Sequence, residues 1–126
     1  MKKEIKTKNA PAAIGPYSQG VSTSGKEIIL VSGQLPINPE TSEMPETIKE
    51  QTEQSLKNLK AIVEEAGGTM ASVLKTTVYL DDIKEFGDMN EVYETFFQEP
   101  YPARAAFEVA KLPKDAKVEI EAIVSI

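Results

Sequence analysis

Residues 47–80 read TIKEQTEQSLKNLKAIVEEAGGTMASVLKTTVYL, and the two ends of this stretch carry different periods. In the first part Thr52, Leu56, Leu59, Val63 and Ala66 recur every three or four residues, which places them along one side of a helix. Thr47-Ile48-Lys49-Glu50 fits the box in which a Thr and a Glu three residues later satisfy free N–H groups at a helix start. Gly67-Gly68 supplies the stop, because glycine accepts the left-handed conformation past a helix end. The spacing predicts a helix over 47–66. Residues 73–80 alternate instead, with Leu74, Thr76, Val78 and Leu80 on one side and Val73, Lys75, Thr77 and Tyr79 on the other. That period of two predicts a strand.

The flanks extend this into an α+β reading. Upstream, residues 2–6 predict a short strand and residues 8–19, with Pro11, Gly15 and Pro16, an ordered loop. Residues 20–24 and 27–32 predict two strands, and Gly25-Lys26 between them reads as a hairpin turn. Residues 35–46, with Pro36, Pro39 and Pro45, read as a loop. Downstream, Phe86, Met89, Tyr93, Phe96 and Phe97 mark the apolar side of a second helix ending near Phe97. Asp82 is its expected cap, and Gly87 weakens its first turn. Residues 104–109 and 116–126 predict the last two strands, with a turn over 111–115. No linker or internal repeat divides the chain. The expectation is one domain over 1–126, a mixed sheet of about six strands with two helices on one face.

Two of these strands are apolar on both faces. Ile28-Ile29-Leu30-Val31 and Ala122-Ile123-Val124 offer no polar side to water. Two helices can cover only one face of such a sheet, so the second face is expected to pack against another subunit.

Composition narrows the chemistry. The 126 residues are 40% apolar and 27% charged, ordinary globular usage that argues against disorder. His and Cys are both absent, which removes a thiol nucleophile, a Ser-His-Asp triad and a His-ligated zinc site. The 14 Lys and Arg against 20 Asp and Glu leave a net charge of -6, which repels nucleic-acid backbones on average. Gly20 to Lys26 spells GxxxxGK, but Glu27 stands where a phosphate-binding loop needs Ser or Thr, and a strand follows where it needs a helix. The basic start, Met1 to Lys6, has no apolar run behind it, and no stretch approaches the ~20 apolar residues that span a bilayer. The expected location is the cytoplasm.

The last two strands carry the remaining polar signal. Val118, Ile120, Ala122, Val124 and Ile126 share one face of the final strand, with Glu119 and Glu121 on the other. In residues 104–109, Arg104, Ala106 and Glu108 oppose Ala105, Phe107 and Val109. If the two strands form a hairpin with their apolar faces aligned, Arg104, Glu119 and Glu121 lie together on the face turned away from the helices. Such a group is either a structural salt bridge or an anion site, in which the planar Arg fork grips a carboxylate and a Glu holds a water or moves a proton.

Several strings go further than spacing does. Residues 9–20 (NAPAAIGPYSQG), Val31-Ser32-Gly33-Gln34, Pro102-Ala103-Arg104-Ala105-Ala106 and Val109-Ala110-Lys111-Leu112-Pro113-Lys114, leading to Val118-Glu119-Ile120-Glu121-Ala122, closely resemble the RidA proteins, the imine deaminases of the YjgF family. The resemblance runs from Ile5 to Val124. It implies a chorismate-mutase-like fold and a homotrimer with active sites between subunits. It also implies hydrolysis of 2-iminobutanoate and 2-iminopropanoate to 2-oxo acids and ammonia, which spares pyridoxal-phosphate enzymes from damage. Arg104 matches the family's substrate-carboxylate arginine and Glu119 its catalytic glutamate. Tyr17, Ser32, Gly33, Asn90 and Ala106 match pocket positions. No cofactor or metal is implied, since an imine is already electrophilic. Two departures stand out: Ala105-Ala106 replaces a common Ser-Cys, and residues 98–101 look shorter than in some members. The alternatives are a non-catalytic module that binds a 2-oxo acid, and the ribonuclease role attached to some relatives, which the charge and the missing His disfavour.

Overall fold

The computed structural model describes all 126 residues. The long helix, α1, spans Ile48–Glu65 and is built as its sequence dictates. The Thr47 hydroxyl oxygen accepts from the Glu50 N–H at 3.2 Å and donates to the Glu50 carboxylate at 3.0 Å. At the other end the Gly67 N–H reaches Glu64 O and the Gly68 N–H reaches Val63 O, both at 3.0 Å, with Gly67 at a φ of 95°. This double closure is the glycine-terminated helix end in which the last free carbonyls find donors. Thr52, Leu56, Leu59 and Val63 are fully buried, whereas Ala66, the last residue of the predicted stripe, lies on the surface.

Six strands form: β1 (Lys2–Ile5), β2 (Gly20–Thr23), β3 (Ile28–Gln34), β4 (Val73–Leu80), β5 (Ala103–Glu108) and β6 (Val118–Ser125). They divide into a two-stranded β1-β2 sheet and a four-stranded sheet in the order β3-β6-β4-β5, antiparallel except for the parallel β4–β5 pair. The second helix, α2, spans Phe86–Tyr93 and continues in single 3₁₀ turns at both ends. The Asp82 carboxylate caps the first of these turns, accepting from the Lys84 N–H at 2.9 Å.

Three features differ from the sequence reading. Gly25-Lys26 does not close a hairpin, because β2 pairs with β1 and β3 with β6. The turn instead carries the chain from the small sheet to the large one, and the Lys26 and Glu27 N–H groups both donate to Ile126 O at 3.1 Å. Gly25 is there for close approach: a Cβ on it would lie 2.2 Å from Ser125 Oγ. Second, β5 and β6 are not neighbours. β4 lies between them, and β5 returns parallel to β4 after the α2 crossover, as a strand–helix–strand unit does. Third, the alternation of β4 breaks at a bulge between Val73 and Lys75, which turns Val73 into the core beside Val124.

Val31, Val78, Leu80, Val118, Ile120, Ala122 and Val124 share one face of the large sheet and form a single buried cluster with Leu56, Leu59 and Val63 of α1 and Met89 and Tyr93 of α2. The other face is bare in a single chain. Leu30 is 76% exposed, Ile28 55% and Phe107 43%.

Candidate functional site

Arg104 is the second residue of β5, directly opposite Thr76 of β4. Thr76 is fully buried on the helix-covered face, so register puts Arg104 on that face too, at the sheet edge. There it meets one side of α2. Phe86, Asn90 and Tyr93 are four and three residues apart, a spacing that aligns side chains along a helix. Arg104 Nη1 donates to Asn90 Oδ1 at 2.6 Å. The guanidinium carbon sits 4.7 Å from the Tyr93 ring centre, 5.4 Å from Phe86 and 5.5 Å from Tyr17. A cation among three aromatic faces is attracted by each ring's quadrupole.

Tyr17 reaches this place because its loop is tied down twice. Ser18 bridges to Ala103 at the start of β5, its N–H donating to Pro102 O at 2.9 Å and its buried hydroxyl donating to Tyr101 O. The Gln19 side chain holds the loop from within, accepting from the Thr7 N–H and donating to Pro11 O, both at 2.7 Å. Gly15 lies over the site, where a Cβ would stand 4.0 Å from Arg104 Nη2.

The electrostatics leave the arginine open to a ligand. The chain's two ion pairs are Lys49–Glu91 and Lys57–Glu53, so Arg104 has no carboxylate partner. Burial draws its guanidinium below the usual value, and the Tyr93 and Tyr17 phenols act the other way. It remains a cation with five N–H donors, of which Asn90 takes one. Burial pushes the Tyr93 phenol up to about 12, against the Thr76 hydrogen bond and the Arg104 charge, so it stays neutral.

Glu119 is elsewhere. It faces Tyr79 across the β4–β6 ladder, and Glu121 faces Thr77, both on the bare face. Burial first, and then the Glu121 carboxylate, raise the Tyr79 phenol. The expectation that Arg104 shares a face with Glu119 and Glu121 is therefore incorrect. It assumed a β5–β6 hairpin, whereas the parallel β4–β5 pairing sets Arg104 level with Thr76 and Ala122, on the helix side. The Arg104 and Glu119 strands are also separated by β4, a lateral gap of roughly 10 Å.

The remaining positions fall to one side or the other. Gly33 sits beneath Glu119, and a Cβ on it would come within 2.0 Å of Glu119 Oε2. A bulge between Val31 and Gln34 allows this approach and leaves Ser32 exposed. Ala106 follows Arg104 on the helix-side face, opposite Val78, and packs against the core. One chain thus gathers Tyr17, Asn90 and Arg104 in one cluster and Gly33 and Glu119 in another. Sequence reasoning missed Phe86, Tyr93 and Thr76 as the surroundings of Arg104. The available signal was Thr76 itself, a hydroxyl on an otherwise apolar strand face, and Asn90 on the same side of α2 as two aromatics.

The chain has relatives of known sequence and structure. The Endoribonuclease L-PSP family model matches residues 7–126. The 2-iminobutanoate/2-iminopropanoate deaminase of Escherichia coli K12 is 52% identical over 126 residues, covering 98% of this chain and 97% of that protein. The solved structure of the E. coli YjgF gene product superposes with a TM-score of 0.75 at 52% identity and 98% coverage of both chains. That of E. coli TdcF with bound serine gives 0.76 at 46% identity, again with 98% of both chains. No helix here is long and apolar enough to cross a membrane. Sharing sequence over nearly its full length and the same fold with these proteins, the chain belongs to the RidA/YjgF family, the one described as Endoribonuclease L-PSP.

Proposed function

We propose that the protein hydrolyses small 2-imino acids to 2-oxo acids and ammonia. The observation that carries this reading is Arg104: a half-buried guanidinium, caged by aromatics, with no acidic partner and a free fork. Such a group is matched to a carboxylate, which it grips through two parallel N–H···O bonds. Full-length identity of 52% to a protein named 2-iminobutanoate/2-iminopropanoate deaminase supports the substrate class. In the proposed mechanism Arg104, with Asn90 and Tyr17, holds the carboxylate and sets the imine carbon in place. Glu119 accepts a proton from water as the water oxygen bonds to the carbon of the protonated imine, whose C=N electron pair moves onto nitrogen to leave a neutral carbinolamine. Glu119 passes that proton to the amino nitrogen, and ammonia leaves as the C=O forms and the hydroxyl proton goes to Glu119. Ser32, Gly33 and Ala106 line the pocket around it.

Within one chain Arg104 and Glu119 lie on opposite faces, so the site we propose is completed by a second copy. The bare face, with Leu30 76% exposed, gives such a copy an apolar surface, and β5 brings Arg104 to the sheet edge where a neighbour can meet it. A homotrimer of single-domain chains acting in the cytoplasm fits this reading. The net charge of -6 and the absence of His weigh against RNA cleavage.

The test generates 2-iminobutanoate from threonine with a dehydratase and traps it with semicarbazide. Added protein should suppress semicarbazone formation, and Arg104→Ala, still folded, should lose at least about 100-fold of that effect, as removal of a bidentate charged contact does. Unchanged trapping beside measurable 2-oxobutanoate binding would establish a binding module instead.

A further inference from the structure

We infer that Tyr93 and Thr76 are positioning residues for Arg104: their buried hydrogen bond sets the plane of the guanidinium, and with it the affinity of the site for a carboxylate. This rests on the reading of Arg104 given above. Thr76 stands directly opposite Arg104 in the β4–β5 register. Tyr93 comes down from α2, and its hydroxyl meets Thr76 Oγ1 at 2.7 Å, with both residues fully buried. The Tyr93 ring is then held on a second side by Phe97, 4.6 Å away and tilted 35°. On this ring lies the guanidinium, at 4.7 Å the nearest of its three aromatic contacts.

Asn90, one turn earlier on α2, holds a single edge of the fork at 2.6 Å. One hydrogen bond leaves a planar cation free to swing about that contact, and the Tyr93 face, the nearest of the three rings, limits the swing most closely. Replacing a buried hydroxyl pair by a Phe–Val pair of the same shape is nearly neutral for stability, so stability alone does not call for it. What it adds is direction, since a hydrogen bond fixes the ring where packing alone lets it shift. The high Tyr93 pKa fits this role, because an ionised phenol beneath Arg104 would neutralise the cation that the substrate needs.

Four variants test the pair in the assembled protein: Tyr93→Phe, Thr76→Val, the two combined, and Thr76→Ser. The readouts are melting temperature, KM and kcat for imine hydrolysis, and the Kd of 2-oxobutanoate. Because a carboxylate grip acts on ground and transition state alike, each of the first two should raise KM and Kd about tenfold with kcat within about twofold. Thr76→Ser keeps the hydroxyl and should keep wild-type KM. Removing both polar groups should return the melting temperature toward wild type while KM and Kd stay raised. If KM and Kd recover together with the melting temperature in the double variant, the pair is only structural and the inference fails. A wild-type protein that binds 2-oxobutanoate through Arg104 but hydrolyses no imine overturns the hydrolase reading, and the Kd comparison still decides on the pair. Absence of both binding and turnover overturns both.

Discussion

At the residue scale, the contact between Gly33 and Glu119 ties a backbone position to chemistry. A Cβ on Gly33 would lie 2.0 Å from Glu119 Oε2, 2.8 Å from Cδ and 3.1 Å from Cγ. The carboxylate must leave its place if residue 33 gains a side chain, and the bare sheet face gives it room to do so. Gly33→Ala should therefore lower kcat by on the order of 10²-fold, similar to Glu119→Gln, with little change in melting temperature. The two changes act on one group, so the double variant should be no slower than Glu119→Gln alone. Steady-state imine hydrolysis checks both statements, and a Glu119→Gln protein at full rate would remove the proton-transfer role. Arg104 depends in the same way on its neighbours, since its charge is usable only because no carboxylate of the chain reaches it.

At the element scale, α1 owes its boundaries to its caps and its position to one apolar stripe. Thr47→Ala removes the acceptor for the Glu50 N–H and should cost about 1 kcal/mol. That is a fall of roughly 4 °C in melting temperature, with turnover unchanged, since α1 carries none of the candidate site. β1 offers a pH-dependent counterpart. Burial lowers the Lys2 amine from 10.5 to about 8, and its Nζ donates to Val73 O at 2.9 Å. Below about pH 8 both folded and unfolded chains carry the proton, and the folded one bears the whole desolvation penalty. Between about 8 and 10.5 the unfolded chain holds more protons, so this group's contribution to stability rises with pH. The melting temperature of wild type relative to Lys2→Met should stay level below pH 8 and climb in favour of wild type toward pH 10.5. A level difference across that window would show that Lys2 is not desolvated.

At the scale of the whole molecule, the bare face and the proposed division of the site between copies make one argument. The four-stranded sheet has helices on one side and exposed Leu30, Ile28 and Phe107 on the other. A monomer gains nothing from such a surface, whereas in the proposed assembly a copy packed on it would bury the apolar side chains and supply an outside Arg104 to Glu119. Mixing Arg104→Ala chains with Glu119→Gln chains after joint refolding tests this directly. Each variant alone should be inactive, but sites that take Arg104 from one chain and Glu119 from another should recover roughly a quarter of wild-type turnover in a randomly mixed cyclic assembly. No recovery, in an assembly shown to be mixed, would place both groups in one chain's site.

Sequence alone determined what each element is and, apart from Val73 at the β4 bulge and Ala66 at the end of α1, which residues line each of its sides. The caps and stripe of α1, the extent of β4, the apolar side of α2 and the two-sided apolar run in β3 all follow from local hydrogen bonding and period, which do not depend on what lies across the fold. The strings around Gly15, Arg104 and Glu119 marked the family as well. Only the tertiary structure decided which strands pair. β2 turned to β1 and β5 to β4, because strand partners are chosen by how apolar faces pack and not by the turn that joins neighbours in sequence. That choice put Arg104 level with Thr76 under α2, and Glu119 over Gly33 on the opposite face. A period of two assigns a side chain to one of two sides, but the strand lying between two others decides which of those sides coincide.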